Sequence, residues 1–182
     1  MAADVLTGIY PVTQAQAQLD STYLAINGTD RSFPGGALGD VVIDNKGGAW
    51  MLVKAAEAIT RYSLCHITNA SIQAGTYLAE MTEAADIATG PKVLGLCLNT
   101  IVVATNPYFW LFMGPGGGLN SGVKVRSENQ TAGTLCFPLS GTAGAVDDAV
   151  VDEGVIAGLQ TLTTTTTLAA VEVYATTRLT CN

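Results

Sequence analysis

The residues able to do chemistry are few in this sequence, and their spacing gives them no shared task. The single histidine, His66, directly follows Cys65. A Ser/His/Asp or Cys/His nucleophile system has to use that histidine as its base, yet adjacent side chains in a strand point to opposite faces. Four acidic residues, Asp147, Asp148, Asp152 and Glu153, stand close enough in sequence to supply paired carboxylates or oxygen ligands for calcium. Their spacing matches no ordered calcium loop and offers no glycine at the turn position, so they read as a solvated acidic loop. The run Gly114-Pro115-Gly116-Gly117-Gly118 has the glycine content of a phosphate loop. It lacks the Lys-Ser/Thr that follows one, and no helix N-terminus follows to hold an anion, so it reads as a flexible break. Cys65, Cys97, Cys136 and Cys181 form no Cys-x-x-Cys pair; a metal site needs closer ligands and more histidine. With nothing to mark an oxidising compartment, reduced thiols are expected. Three matches to the glycan acceptor pattern, at Asn27, Asn69 and Asn129, carry no weight without a secretory signal. The expectation is a protein with no catalytic residues, no cofactor and no metal.

The bulk composition says what such a chain is suited to. Charged residues make up only 13% of 182, against about a quarter in ordinary soluble proteins. A surface so poor in charge is covered by Thr, Ser, Asn, Gln, Gly and small apolar groups, which is common where much of it is buried against other subunits. The net charge is −7 and the isoelectric point about 4.4. Eight Lys and Arg residues, scattered singly, cannot track a phosphate backbone, so no direct nucleic-acid partner is expected. No basic amphipathic run and no stretch of roughly 18–20 apolar residues points to a membrane. The opening Met1-Ala2-Ala3-Asp4 lacks the basic lead of a secretory leader, which predicts a protein made and used without export.

The elements that would position any site are strands. Residues 1–38 carry turn and breaker signals at Tyr10-Pro11, Asn27-Gly28 and Phe33-Pro34-Gly35-Gly36, with aromatic anchors but no sustained period. They read as an extended N-terminal arm rather than a folded unit. Regular structure starts at residues 39–44, turns at Asn45-Lys46-Gly47-Gly48 and returns through residues 49–54 as a hairpin. Residues 59–68 resume strand character, residues 84–91 form a small-residue loop with room for a helical turn, and residues 93–98 and 101–104 are a further strand pair. Tyr108-Phe109-Trp110-Leu111-Phe112 is continuously apolar, the mark of a strand buried on both faces and the best core candidate. After the glycine break, Val123 and Val125 alternate with Lys124 and Arg126, placing the valines inward. Residues 133–139 form a strand that Pro138 limits to an edge or bulge. Thr163 to Thr167 are β-branched throughout and refuse a helix.

A weak internal repeat follows from the same residues. Ala132-Gly133-Thr134 repeats Ala74-Gly75-Thr76, Val155-Ile156-Ala157-Gly158-Leu159 echoes Val93-Leu94-Gly95-Leu96, and residues 169–174 stand where residues 107–112 stood. The fold class expected is therefore all-β, a β-barrel or β-sandwich, with two similar β units at 39–116 and 117–182 or one continuous β domain over 39–182, preceded by the arm. Two units sharing one core favour a scaffold over a catalyst.

This pattern of Ala-Gly-Thr-x-Leu, small-residue loop, Val-Leu-Gly-Leu, crossing and apolar strand ending in Gly resembles the β-barrel or β-tulip decoration (cement) proteins of tailed bacteriophage heads. The resemblance spans residues 39–116 and, more weakly, 122–174. It implies a structural virion protein on the capsid exterior, made in the host cytoplasm, that stabilises the shell by bridging copies of the major capsid protein. It also implies a homo-oligomer, with a trimer favoured, and an arm that adds to the capsid. Tyr10, Pro11, Tyr23 and Phe33 are then the candidate capsid contacts. Other readings of the same composition are a tail-tube, head-completion or fibre subunit, or a carbohydrate-binding module stacking sugars on Tyr108, Trp110 and Trp50.

Overall fold

In the computed structural model, residues 38–43, 47–87, 93–101, 103, 107–119, 121–149 and 154–181 are described. The first hairpin forms where alternation is plainest: β1 (Val41–Ile43) runs antiparallel to β2 (Ala49–Ala55), with Val42 opposite Trp50. From β2 onward the chain closes a ring. β3 (Ser63–Ile67), the short helix α1 (Asn69–Gln73), β4 (Leu78–Met81), the single turn α2 (Ala84–Ile87), β5 (Val93–Cys97) and β6 (Tyr108–Gly114) follow in order. β2 pairs in parallel with β4, β4 antiparallel with β3, β3 with β5, β5 with β6, and β6 back with β2, which makes a closed five-stranded barrel.

The second half repeats this circuit strand for strand. After the two-residue β7 (Gly116–Gly117) come β8 (Lys124–Ser127), β9 (Leu135–Pro138), β10 (Ala145–Asp147), β11 (Ile156–Thr161) and the long β12 (Ala169–Cys181). β8 pairs in parallel with β10, β10 antiparallel with β9, β9 with β11, β11 with β12, and β12 with β8. Each circuit thus has one parallel and four antiparallel pairings in the same order, so β2 to β6 correspond to β8 to β12. The sequence echoes at β5/β11 and β6/β12 fall on corresponding strands. The Ala-Gly-Thr echo does not: Ala74-Gly75-Thr76 precedes β4, whereas Ala132-Gly133-Thr134 precedes β9, the counterpart of β3. The turn that corresponds to the former is at Gly141-Thr142, before β10. Small-residue turns recur before several strands because each needs a tight reversal, and that chemistry carries no register.

Two buried clusters fill the fold. Val53, Ala55, Cys65, Ile67, Ala79, Cys97, Phe109 and Leu111 all belong to strands of the first circuit and fill its interior. The alternate residues of those strands, Trp50, Leu52, Leu64, Leu94, Leu96, Trp110 and Phe112, pack with Val125, Cys136, Val146, Leu159, Val171 and Val173 of the second unit. The first barrel is therefore buried on both sides of its wall, which explains the continuous apolar runs in β2 and β6. Burying each large side chain is worth about 1.5–3 kcal/mol, and Trp50 and Phe112 add an edge-to-face contact at 5.0 Å. Backbone hydrogen bonds sew the units together: Arg126 N–H donates to Tyr62 O, Leu64 N–H to Gly144 O and Gly144 N–H to Thr82 O, each at 2.8 Å.

Two glycines set the wall's curvature. A Cβ on Gly95 would stand 2.5 Å from Leu111 Cγ and 2.7 Å from the Phe112 carbonyl oxygen, so β5 can cross β6 only without a side chain there. Gly117, at φ +100°, lets β7 lie on β12, where a Cβ would collide with the Val173 carbonyl. The sequence did not announce α1. It forms because the Thr68 hydroxyl caps it, accepting from Ser71 N–H at 3.2 Å, and because the buried Ser71 Oγ accepts from Leu78 N–H at 2.5 Å and tethers the start of β4.

Candidate functional site

His66 is where a catalytic base would be sought, and its surroundings are those of a buried brace. The ring is 2% exposed and lies opposite Leu94 and Glu80 on neighbouring strands. Its Nδ1 is 3.4 Å from Thr82 Oγ1 and 3.6 Å from Asp86 Oδ2. A base and its orienting carboxylate work through the two different ring nitrogens. Here hydroxyl and carboxylate meet the same one, an arrangement that ties β3 to the loop and turn of α2. Asp86 Oδ2 also accepts from Glu83 N–H at 2.8 Å, fixing that turn. Cys65, next to His66, faces the barrel interior opposite Gly95, as strand alternation requires.

The thiols are equally enclosed. Cys65, Cys97 and Cys136 are free and buried. Burial pushes the Cys97 and Cys136 thiols up to about 12, and Cys65 is raised by burial and by the neighbouring Cys97. Such groups are small apolar fillers rather than nucleophiles. Among the described residues no three His, Cys, Asp or Glu side chains gather into a metal-binding group, and no helix is long and apolar enough to cross a membrane.

Two expectations are corrected. Asp147 is not part of a solvated loop: it sits in β10 opposite Phe137 and is 7% exposed. Its carboxyl is raised mainly by burial, and Oδ1 has no hydrogen-bond partner among the described residues. Asp148 does lie at the surface side, where its Oδ2 accepts from Thr131 N–H at 2.8 Å; Asp152 and Glu153 lie outside the described residues. The sugar-stacking platform fails on geometry, because Trp50 and Trp110 are 0% and 3% exposed within the core. Tyr10, Pro11, Tyr23 and Phe33 also lie outside the described residues.

What the fold presents outward is a tip on the second unit whose own side chains are uncharged, with the Asp148 carboxylate on Thr131 N–H at its edge. The threonine run does not continue β11; it turns away and lies against the loop before β9. Gln130 N–H donates to Thr165 O at 2.8 Å and Thr165 N–H to Gln130 O at 2.9 Å, a two-bond bridge between the loops. Ala132 N–H donates to Thr164 Oγ1 at 3.1 Å, Gly133 N–H to Thr161 O at 2.8 Å, and the buried Gln130 Nε2 to Thr134 Oγ1 at 2.6 Å. Thr131, Ala132 and Gly133, together with Thr163, Thr164, Thr166, Thr167, Leu168, Ala169 and Ala170, are exposed and carry no charge. Their backbones are held by these bonds, so the tip is a preformed surface of hydroxyls, methyls and backbone. The Thr163 to Thr167 run was the available signal, but nothing in it said which loop would meet it.

No protein family, curated protein or solved structure matches this chain.

Proposed function

We propose that this protein is a structural subunit that decorates a bacteriophage capsid exterior and stabilises it by bridging copies of the major capsid protein. The observation that carries the reading is the hydrogen-bonded tip formed by residues 131–133 and 163–170, whose own side chains carry no charge and whose edge is held by the Asp148 carboxylate. A preformed surface loses little entropy on docking, and hydroxyls and methyls desolvate far more cheaply than charged groups. The duplicated barrel behind it is a rigid mount, since the first unit is buried on both sides of its wall. Many copies on one lattice multiply a modest contact into firm attachment. The resemblance to cement proteins supplies the partner, and the N-terminal residues Tyr10, Pro11, Tyr23 and Phe33 add a second set of contacts in this reading.

Co-sedimentation of the purified chain with expanded phage heads that lack it tests the proposal. Wild-type protein is expected in the pellet at a fixed ratio to the capsid protein. Thr164→Asp with Thr166→Asp, and separately Tyr10→Ala with Tyr23→Ala and Phe33→Ala, should each weaken binding about tenfold or more, the loss typical of interface anchors. Wild-type protein that stays in the supernatant, or tip variants that bind fully, would overturn it.

A further inference from the structure

The eight Lys and Arg residues lie scattered along the sequence, yet the fold gathers three of the five that are described around one side chain, Tyr62. Arg61 lays its guanidinium over the Tyr62 ring, with Cζ 4.5 Å from the centroid, and Lys124 Nζ reaches the same ring at 6.0 Å. Arg126 joins them from β8: its backbone N–H donates to Tyr62 O at 2.8 Å. Its Nη1 donates to Ala143 O at 3.1 Å, next to Gly144, whose carbonyl accepts from Leu64 N–H. Arg61 Nε is anchored on Leu98 O at 3.0 Å. Arg61 is exposed, and Lys124 and Arg126 are half-buried. Among the described residues no carboxylate oxygen comes within the 4.0 Å of an ion pair from any of the three. Glu172, opposite Lys124 in the ladder, and Glu128, two positions past Arg126, both stop short of that distance.

Like charges gathered on one ring repel one another, and the negative face of the ring offsets only part of that cost. Tyr62 itself is held at φ +65°, a conformation that a bulky side chain rarely takes and that glycine adopts freely. Its N–H bond to Cys97 O and its carbonyl bond from Arg126 N–H fix it there, so the ring stays where the cations meet. We infer that Arg61, Lys124 and Arg126 form a docking point for an acidic segment of a protein partner, whose carboxylates complete the cluster. A guanidinium meets a carboxylate as a planar fork, and stacking on Tyr62 with the bond to Leu98 O pre-sets that of Arg61. The openness of the site selects the form of the ligand. A free ion is held by enclosure, whereas Arg61 is exposed, and three cations at one point are too few to follow a nucleic-acid backbone. At physiological salt, charges farther than about 8 Å are largely screened, so an incoming carboxylate responds to these three cations rather than to the net −7. This deepens the shell-subunit reading by naming the chemistry of one contact. Its probe is a peptide, so its failure and a failure of head binding are separate results.

Titration of hexaglutamate into the isotope-labelled full chain, followed by amide NMR, provides the test. Shifts are expected at residues 61–63, 97–98, 124–126 and 143–144, and they should weaken as salt is raised. Arg61→Gln and Lys124→Gln, made singly, should each weaken binding about threefold or more. Arg178→Gln, which removes the same charge from an exposed position of β12, should leave the affinity unchanged. The wild-type titration is a readout that needs no variant to fold. Absence of shifts at these positions overturns the inference. So do shifts that Arg61→Gln and Lys124→Gln leave intact, that inorganic phosphate produces equally at matched ionic strength, or that a single-stranded oligonucleotide produces at lower concentration.

Discussion

Replacing Asp147 by Asn should make the protein more stable at neutral pH, against the usual direction of a buried substitution. Asp147 lies on β10 and is 7% exposed, with Oδ1 unpartnered among the described residues. Burial raises its carboxyl, the backbone N–H of Ala149 partly offsets this, and Asp148 and Glu128 nearby add to the rise. Leaving a buried polar group without a partner costs about 1–3 kcal/mol, and more when it is charged. Asn keeps the shape and an acceptor for Ala149 while removing the charge. Allowing for the amide's own incomplete bonding, a gain of about 1 kcal/mol is reasonable, which for a chain of this size raises Tm by about 2–4 °C. The pH dependence has a definite sign. A carboxyl whose folded pKa is above its unfolded value of about 3.9 binds its proton more tightly in the native state. The penalty is therefore absent below the unfolded pKa, grows as pH rises, and is complete above the folded pKa. Scanning calorimetry of both proteins from about pH 3, below the ordinary carboxylate range, to neutrality should show Tm values that coincide at the acid end and separate as pH rises. An Asn variant less stable at neutral pH, or a difference that is the same at every pH, would refute the reasoning.

Two further predictions concern the packed interior. Gly95→Ala puts a methyl 2.5 Å from Leu111 Cγ and 2.7 Å from a backbone oxygen, and should cost about 1–3 kcal/mol in urea unfolding, the usual range for overpacking; an unchanged midpoint would mean that β5 and β6 do not approach so closely. In a Cys181→Ser background, Cys65, Cys97 and Cys136 should be inert to a disulfide reagent at mildly alkaline pH until denaturant is added, because burial holds Cys97 and Cys136 near 12 and raises Cys65 as well; rapid reaction of any of the three in the native protein would contradict their enclosure.

The fold was legible where burial is one-sided or complete, and illegible where the decision rests on a partner distant in sequence. Alternation of Val123 and Val125 with Lys124 and Arg126 gave the inward face of β8 directly, and both valines are fully buried. The apolar run from Tyr108 gave β6 as a strand with no solvent face. The echo of Val93-Leu94-Gly95-Leu96 in residues 155–159 fell on β5 and β11, which occupy equivalent places in the pairing order, although its glycines serve different ends: Gly95 leaves room for Leu111, whereas Gly158 takes φ +86° at the bulge between Ala157 and Leu159. The repeat was misaligned at Ala-Gly-Thr, because turn residues mark a reversal and say nothing of which strand follows. Asp147 was misplaced for a related reason: four acidic residues close together look solvated, while the pairing of β10 with β8 and β9 that buries one of them is a tertiary event. The tip was half legible. Thr163 to Thr167 announced extended backbone, yet its bridge to Gln130 spans 35 positions and no local pattern encodes it.

The shortage of charge separates into two parts with different causes. In β2, β3, β5 and β6, Lys54 is the only Lys, Arg, Asp or Glu, and the fold accounts for this fully, since those strands have the first core on one side and the second unit on the other. No external partner is needed to explain them. The tip and the exposed Leu119, Leu135 and Tyr174 are different, because these side chains face outward, where charge would add solubility. Packing among the described residues does not account for the absence of charge at residues 131–133, residues 163, 164 and 166–170, Leu135, Tyr174 and Leu119, which are exposed there. Residues 131–133 and 163–170 offer hydroxyls and methyls on a backbone braced by the Gln130–Thr165 bridge, so a charge placed there by Thr164→Asp with Thr166→Asp tests what that absence of charge is for without disturbing either buried cluster.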